Sequence, residues 1–74
     1  SPKGSFLIEI AKCYEFKQEY NLACEYFLKA AELWKEEYGL EDEDVLHAAS
    51  KVYHLATSFK IDLVIPDWIF EEIQ

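Results

Sequence analysis

Apolar and polar positions follow a helical period along most of this chain, and the clearest run lies between Leu7 and Tyr38. Tyr20, Ala23, Phe27, Ala30, Trp34 and Tyr38 recur at steps of three and four, the spacing that holds side chains on one face of an α-helix. Leu22, Tyr26, Ala31 and Leu33 widen that stripe beyond the usual apolar arc, so this helix is expected to touch neighbours on two sides. Gly39 follows at once and supplies a stop, because glycine enters the left-handed region at little cost. Ahead of it, Leu7, Ile10, Ala11 and Tyr14 make a shorter stripe, with Ser5 as its cap after a flexible start. Lys17-Gln18-Glu19 is the expected break. It holds neither Gly nor Pro, so one unbroken helix over 6–38 stays open as the alternative.

Beyond Gly39 the pattern resumes. Leu46, Ala49, Tyr53 and Ala56, flanked by Val45, Val52, Leu55 and Phe59, predict a helix over about 43–59. Asp42 is placed to cap it, and Glu41, Glu43 and Asp44 sit where the helix dipole favours negative charge. The same acids lack the spaced oxygen ligands and central glycine of a calcium-binding loop. Ile61-Asp62-Leu63-Val64-Ile65 has the composition of a strand but no second strand to pair with, and reads as an extended linker pressed on the core. Pro66 then opens a short helix over about 66–73 with Trp68, Ile69 and Ile73 on its buried side. The fold class is therefore all-α: an antiparallel hairpin (about 6–17 and 20–38), a third helix and a short last one, in a single domain over 1–74.

Size makes this proposition demanding, because a domain of this length buries only about 60% of its unfolded surface. Composition compensates: 51% of the 74 residues are hydrophobic, with five Phe, five Tyr and two Trp, and each large ring buries roughly 150–250 Å². Fifteen acids against seven lysines, with no arginine, give a formal charge of −8. Nucleic acid and anionic membrane surfaces are disfavoured by that balance, and no apolar run reaches the roughly 18 residues of a membrane-spanning helix. The opening residues 1–5 carry no secretory leader, which points to the cytosol or nucleus, and read as the edge of a larger parent protein. Cys13 and Cys24 make no disulfide framework and are expected to be free, buried thiols, with a bridge across the hairpin open if they face each other.

These residues carry a resemblance. Leu7, Ile10, Ala11, Tyr14, Tyr20, Ala23, Phe27 and Ala30 stand in register with the outline of a tetratricopeptide repeat, in which small residues let two helices approach and aromatics fill the space around them. Leu46, Ala49, Ser50 and Tyr53 repeat the first-helix part 39 residues later. The stretch from Trp34 to Val45 is similar to the long-repeat variety of kinesin light chains. Ala11 stands for the usual glycine, Lys35 near the closing proline, and the second copy lacks its alanine-aromatic-alanine helix. The resemblance implies a right-handed helical array, or failing that a small bundle, and a groove along the first helices that holds a protein or peptide partner. On that basis Ile8, Lys12, Phe16, His47 and Lys51 are the candidate partner-binding residues. Lys12 and Lys51 beside acids do not make the carboxylate clamp of chaperone-tail receptors, so an apolar or mixed peptide is expected.

Catalytic signals are weak. There is no glycine-rich phosphate loop and no Gly-x-Ser-x-Gly, so we expect no enzyme, cofactor or metal. His47 and His54 are seven apart, about two helical turns, too far to hold one zinc unaided. The paired glutamates Glu15/Glu19 and Glu32/Glu36 are expected on solvated faces, and Glu25 with Lys29 in a helical ion pair. Two further readings compete with the adaptor: an architectural cap or dimerisation bundle that docks to neighbouring repeats or to its own copy, and a three-helix trafficking domain resembling the microtubule-interacting-and-transport type.

Overall fold

A computed structural model describes residues 2–73, with side chains described as far as Glu71. Its elements are α1 (Pro2–Phe16), α2 (Tyr20–Tyr38), α3 (Glu43–Ser58) and α4 (Asp67–Ile73), with no strand among the described residues. Each helix packs on the next in chain order. The array measures 29 × 27 × 16 Å, and a helix with its side chains is about 10–12 Å across. It is therefore a slab.

The break falls at 17–19, which rules out the single long helix. Gln18 takes φ 65° there, in the left-handed region that usually asks for glycine, at a cost of about 1–2 kcal/mol. Three backbone bonds offset it by using carbonyls left over at the end of α1: Lys17 N–H to Cys13 at 3.1 Å, Gln18 N–H to Glu15 at 3.0 Å and Glu19 N–H to Tyr14 at 2.9 Å. At the far end of α2, Gly39 (φ 91°) donates its N–H to the Lys35 carbonyl at 2.8 Å and closes the helix as expected.

The start of the chain corrects the sequence reading. There is no flexible lead and no cap at Ser5: α1 begins at Pro2, where a missing N–H costs nothing. Gly4 is buried beneath Trp34, and a Cβ built on it would overlap the indole, lying 2.8 Å from Cδ1. An absent side chain is what lets the ring settle on α1. Gly4 against Trp34 and Tyr14 stacked on Tyr26 (centroids 5.6 Å apart) define the antiparallel register of the hairpin. In that register α1 buries Gly4, Ile8 and Ala11, and leaves Leu7, Ile10 and Tyr14 half-buried.

Asp42 caps α3 as expected, its Oδ2 accepting from Asp44 N–H at 3.0 Å and Val45 N–H at 3.2 Å. Asp42→Ala should lower unfolding free energy by about 0.5–2 kcal/mol, with Asp42→Asn restoring most of it in the same urea melts. The helix stops at Ser58, so Phe59 lies just outside it, extended, with its ring stacked on Tyr20. Residues 60–66 are an extended strap on the core: Ile61, Leu63 and Ile65 pack inward, while Asp62 and Val64 face out. Asp62 N–H donates to Asn21 Oδ1 at 2.6 Å and pins the strap to the first turn of α2. Ile69 of α4 is fully buried, and Trp68 packs partly against the core; the Ile73 side chain lies outside the described residues.

Candidate functional site

Alanine sets the spacing of this array. Ala11, Ala23, Ala30, Ala31, Ala48 and Ala49 are all completely buried, and Phe27, Val45, Val52 and Cys24 fill the volume between them. With these residues committed to the core, the functional candidates must come from what α1 and α3 leave outside.

Lys51 joins these two helices. Its Nζ lies 2.7 Å from Glu15 Oε2 and 5.3 Å from the centre of the Phe27 ring. Both charged side chains are about a third exposed, a setting in which an ion pair contributes up to about 1 kcal/mol and a cation over a ring about 0.5–1 kcal/mol. Lys51 is thus engaged inside the chain, its charge met by Glu15. Glu15 in turn does not share a solvated face with Glu19. The repeat offset held a signal for this pair: Lys51 corresponds to Lys12, and Glu15 lies one turn from Lys12, so the two meet when α1 and α3 lie side by side.

The remaining candidates scatter in burial. Ile8 is only 7% exposed and belongs to the core, because α1 is rotated to bring the Gly4-Ile8-Ala11 edge onto α2; it is withdrawn as a surface contact. Lys12 is exposed, with Nζ 3.5 Å from Glu9 Oε2. His47 is exposed on α3, and Phe16, at the last residue of α1, is 91% exposed. Lys12, Phe16 and His47 are therefore open positions on the two helices that the Glu15–Lys51 bridge joins. Sequence reasoning missed Phe6, 69% exposed, because the start of α1 was taken for a flexible lead.

The nucleophilic and metal-ligating residues do not converge. His47 and His54 are both exposed, and among the described residues no group of three His, Cys, Asp or Glu is placed to hold a metal ion. Glu25 and Lys29 form the expected pair at 3.2 Å. No helix of the described residues is long and apolar enough to cross a membrane. Two open surface clefts, of about 300 and 390 Å³, are lined mainly by Glu32, Lys35, Lys29, Leu33 and Trp68 on the side of α2.

The cysteines part company. Cys24 is fully buried with Sγ 3.9 Å from the Val52 carbonyl, which accepts from the thiol, while Cys13 is exposed, so only one of the two is the buried thiol expected and they form no bridge. Burial pushes the Cys24 thiol from 9.0 up to about 11. The folded state thus holds this proton more tightly than the unfolded one. The associated stability is complete below pH 9 and is lost as the pH rises towards 11. At pH 8 an aromatic disulfide reagent should titrate one thiol rapidly and the second only after urea is added; two rapid thiols would mean that the α2–α3 contact is open.

Comparisons with protein-family models, with curated proteins and with solved structures find no match for this chain.

Proposed function

We propose that this chain is a protein-interaction module, an adaptor or scaffold element rather than an enzyme, which receives a partner segment across α1 and α3. The supporting observation is the Glu15–Lys51 bridge at 2.7 Å, which spans α1 and α3, the helices on which Lys12, Phe16 and His47 stand open. A face of mixed character suits a segment with apolar side chains and a few polar ones, since extended or helical peptides take affinity from apolar anchors and register from polar contacts. Two features speak for a binding role. The buried thiol is kept protonated at neutral pH and so is a poor nucleophile, and the histidines stand in solvent on one helix.

The test is site-specific photo-crosslinking of the protein in cells. A photoreactive residue at position 47 or 12 should trap a discrete polypeptide that one at Glu41, in the loop before α3, does not. Charge reversal of the bridge, Lys51→Glu, should weaken that product, and the double exchange Glu15→Lys with Lys51→Glu should restore it. Equal trapping from all three positions, or none from 12 and 47, would reject the reading.

A further inference from the structure

Among the described residues, every buried core side chain but one comes from α1, α2 or α3. The exception is Ile69 of α4. Around it the C-terminal arm, residues 59–73, rests mainly on ring contacts. Phe59 stacks on Tyr20 with centroids 3.7 Å apart, Phe70 meets Tyr53 edge-on at 5.8 Å, and the Lys35 ammonium lies 4.9 Å from the centre of a Trp68 ring. The strap adds the hydrogen bond from Asp62 N–H to Asn21 Oδ1, while Ile61, Leu63 and Ile65 are no more than half-buried. α4 itself has seven residues, well short of the roughly 12–15 at which a helix begins to persist alone in water. It is a helix only while it is docked. α1, α2 and α3, with 15, 19 and 16 residues, share the rest of the core among themselves.

We propose that this arm is a latch: it leaves α3 as one unit while α1, α2 and α3 stay folded, and the seat it vacates takes a short helical segment of the same chemistry from a partner. The arm itself shows what the seat accepts. In Trp68-Ile69-Phe70 the aliphatic side chain is sealed at 0% exposure, and the rings on either side of it rest against a cation and a tyrosine edge. A partner segment therefore offers an aliphatic residue between two aromatic ones, and it has to displace the triplet already in place. The tether decides how hard that is. A segment on a short flexible linker has an effective concentration on the order of millimolar. For an open state populated at about 1%, the same segment supplied in trans binds the vacated seat with a dissociation constant on the order of 10 μM. The closed chain binds it about 100-fold more weakly, because apparent affinity falls with the open fraction. This seat lies where Tyr53 of α3 meets the arm, and the inference does not depend on the role given to Lys12, Phe16 and His47.

Hydrogen exchange of the full chain is the first measurement. The Phe70 and Glu71 amides should share one opening, with exchange slowed about 100-fold, and should exchange at least about tenfold faster than Phe27 and Val52 once intrinsic rates are removed. The second measurement opens the latch. The Ile69→Asp chain, which cannot bury its carboxylate, should lose protection at Phe70 and Glu71 yet keep the contacts of Gly4 with Trp34 and of Tyr14 with Tyr26. A synthetic peptide of residues 59–74 should bind that chain on the order of 10 μM, read from the Tyr53 signals, and should bind the unaltered chain about 100-fold more weakly. The same peptide with Ile69→Asp should bind neither. Equal protection at Phe70 and Val52 would overturn the proposal. So would loss of the α1–α2 contacts in the Ile69→Asp chain, which would make the arm part of one cooperative core, no binding of the peptide to that chain up to about 1 mM, or equal binding to both chains.

Discussion

Phe27→Ala should lower the free energy of unfolding by about 3–5 kcal/mol, the range for truncating a large buried ring to a methyl group. Phe27 heads the largest fully buried side chains at 1% exposure, in the middle of the helix that packs on both α1 and α3. Its removal opens a cavity in a cluster rich in completely buried alanines, Ala23, Ala30, Ala31, Ala48 and Ala49 among them, whose methyl side chains have no rotamers with which to move in. It also takes away the ring beneath the Lys51 ammonium, so the Glu15–Lys51 bridge loses one of its two supports. Stability of about 0.05–0.15 kcal/mol per residue gives a chain of this size roughly 4–11 kcal/mol in all. The substitution therefore consumes a large share, and a measurable unfolded population at 25 °C is expected. Urea melts followed by circular dichroism provide the check: the midpoint should fall steeply with little change in slope. A loss below about 1 kcal/mol would mean that this ring is not the centre of the core.

Ala23→Leu and Ala30→Leu should each cost about 1–3 kcal/mol, by overpacking rather than by cavity. Both positions are 0% exposed on α2, and Ala11 is equally closed on α1. The extra three carbons of leucine have nowhere to go unless the helix axes separate, and separation would also lift Trp34 from Gly4 and Tyr26 from Tyr14. Glu36→Leu, on the exposed side of the same helix, adds the same side chain without the collision and should change stability by no more than about 0.5 kcal/mol. Equal tolerance at the three positions would show that the contact face of α2 has been drawn on the wrong side.

Where a residue's role is local, the sequence was readable. Gly39 ends α2, Asp42 caps α3, and the alternation of residues 61–65 survives as a strap with every second side chain inward, because each depends on backbone preference or period alone. The break at 17–19 was legible from the interrupted stripe even though its left-handed residue is a glutamine. Rotation of α1 was not. Ile8 and Ile10 are equally apolar, and which of them goes inside is decided by Trp34 landing on Gly4, a contact between residues thirty positions apart in sequence. Taking Gly4 as part of a loose lead concealed that contact, and with it the first turn of α1 and the exposed Phe6. The candidate site failed in the same way at Ile8 and was incomplete at Lys51, whose partner Glu15 lies on another helix. Position on a helix face could be read from spacing; pairing between faces needed the third dimension.

One interface organises the whole array: α1 folded back on α2, so that glycine and alanine seat the rings and α1 keeps an aromatic side in solvent. Nuclear Overhauser spectroscopy of the full chain tests it most directly. Cross-peaks between the Gly4 α-protons and the Trp34 indole, and between the rings of Tyr14 and Tyr26, are predicted, together with interruption of the helical amide pattern at Gln18. An unbroken helical pattern through Lys17, Gln18 and Glu19, with neither of those long-range contacts, would contradict it.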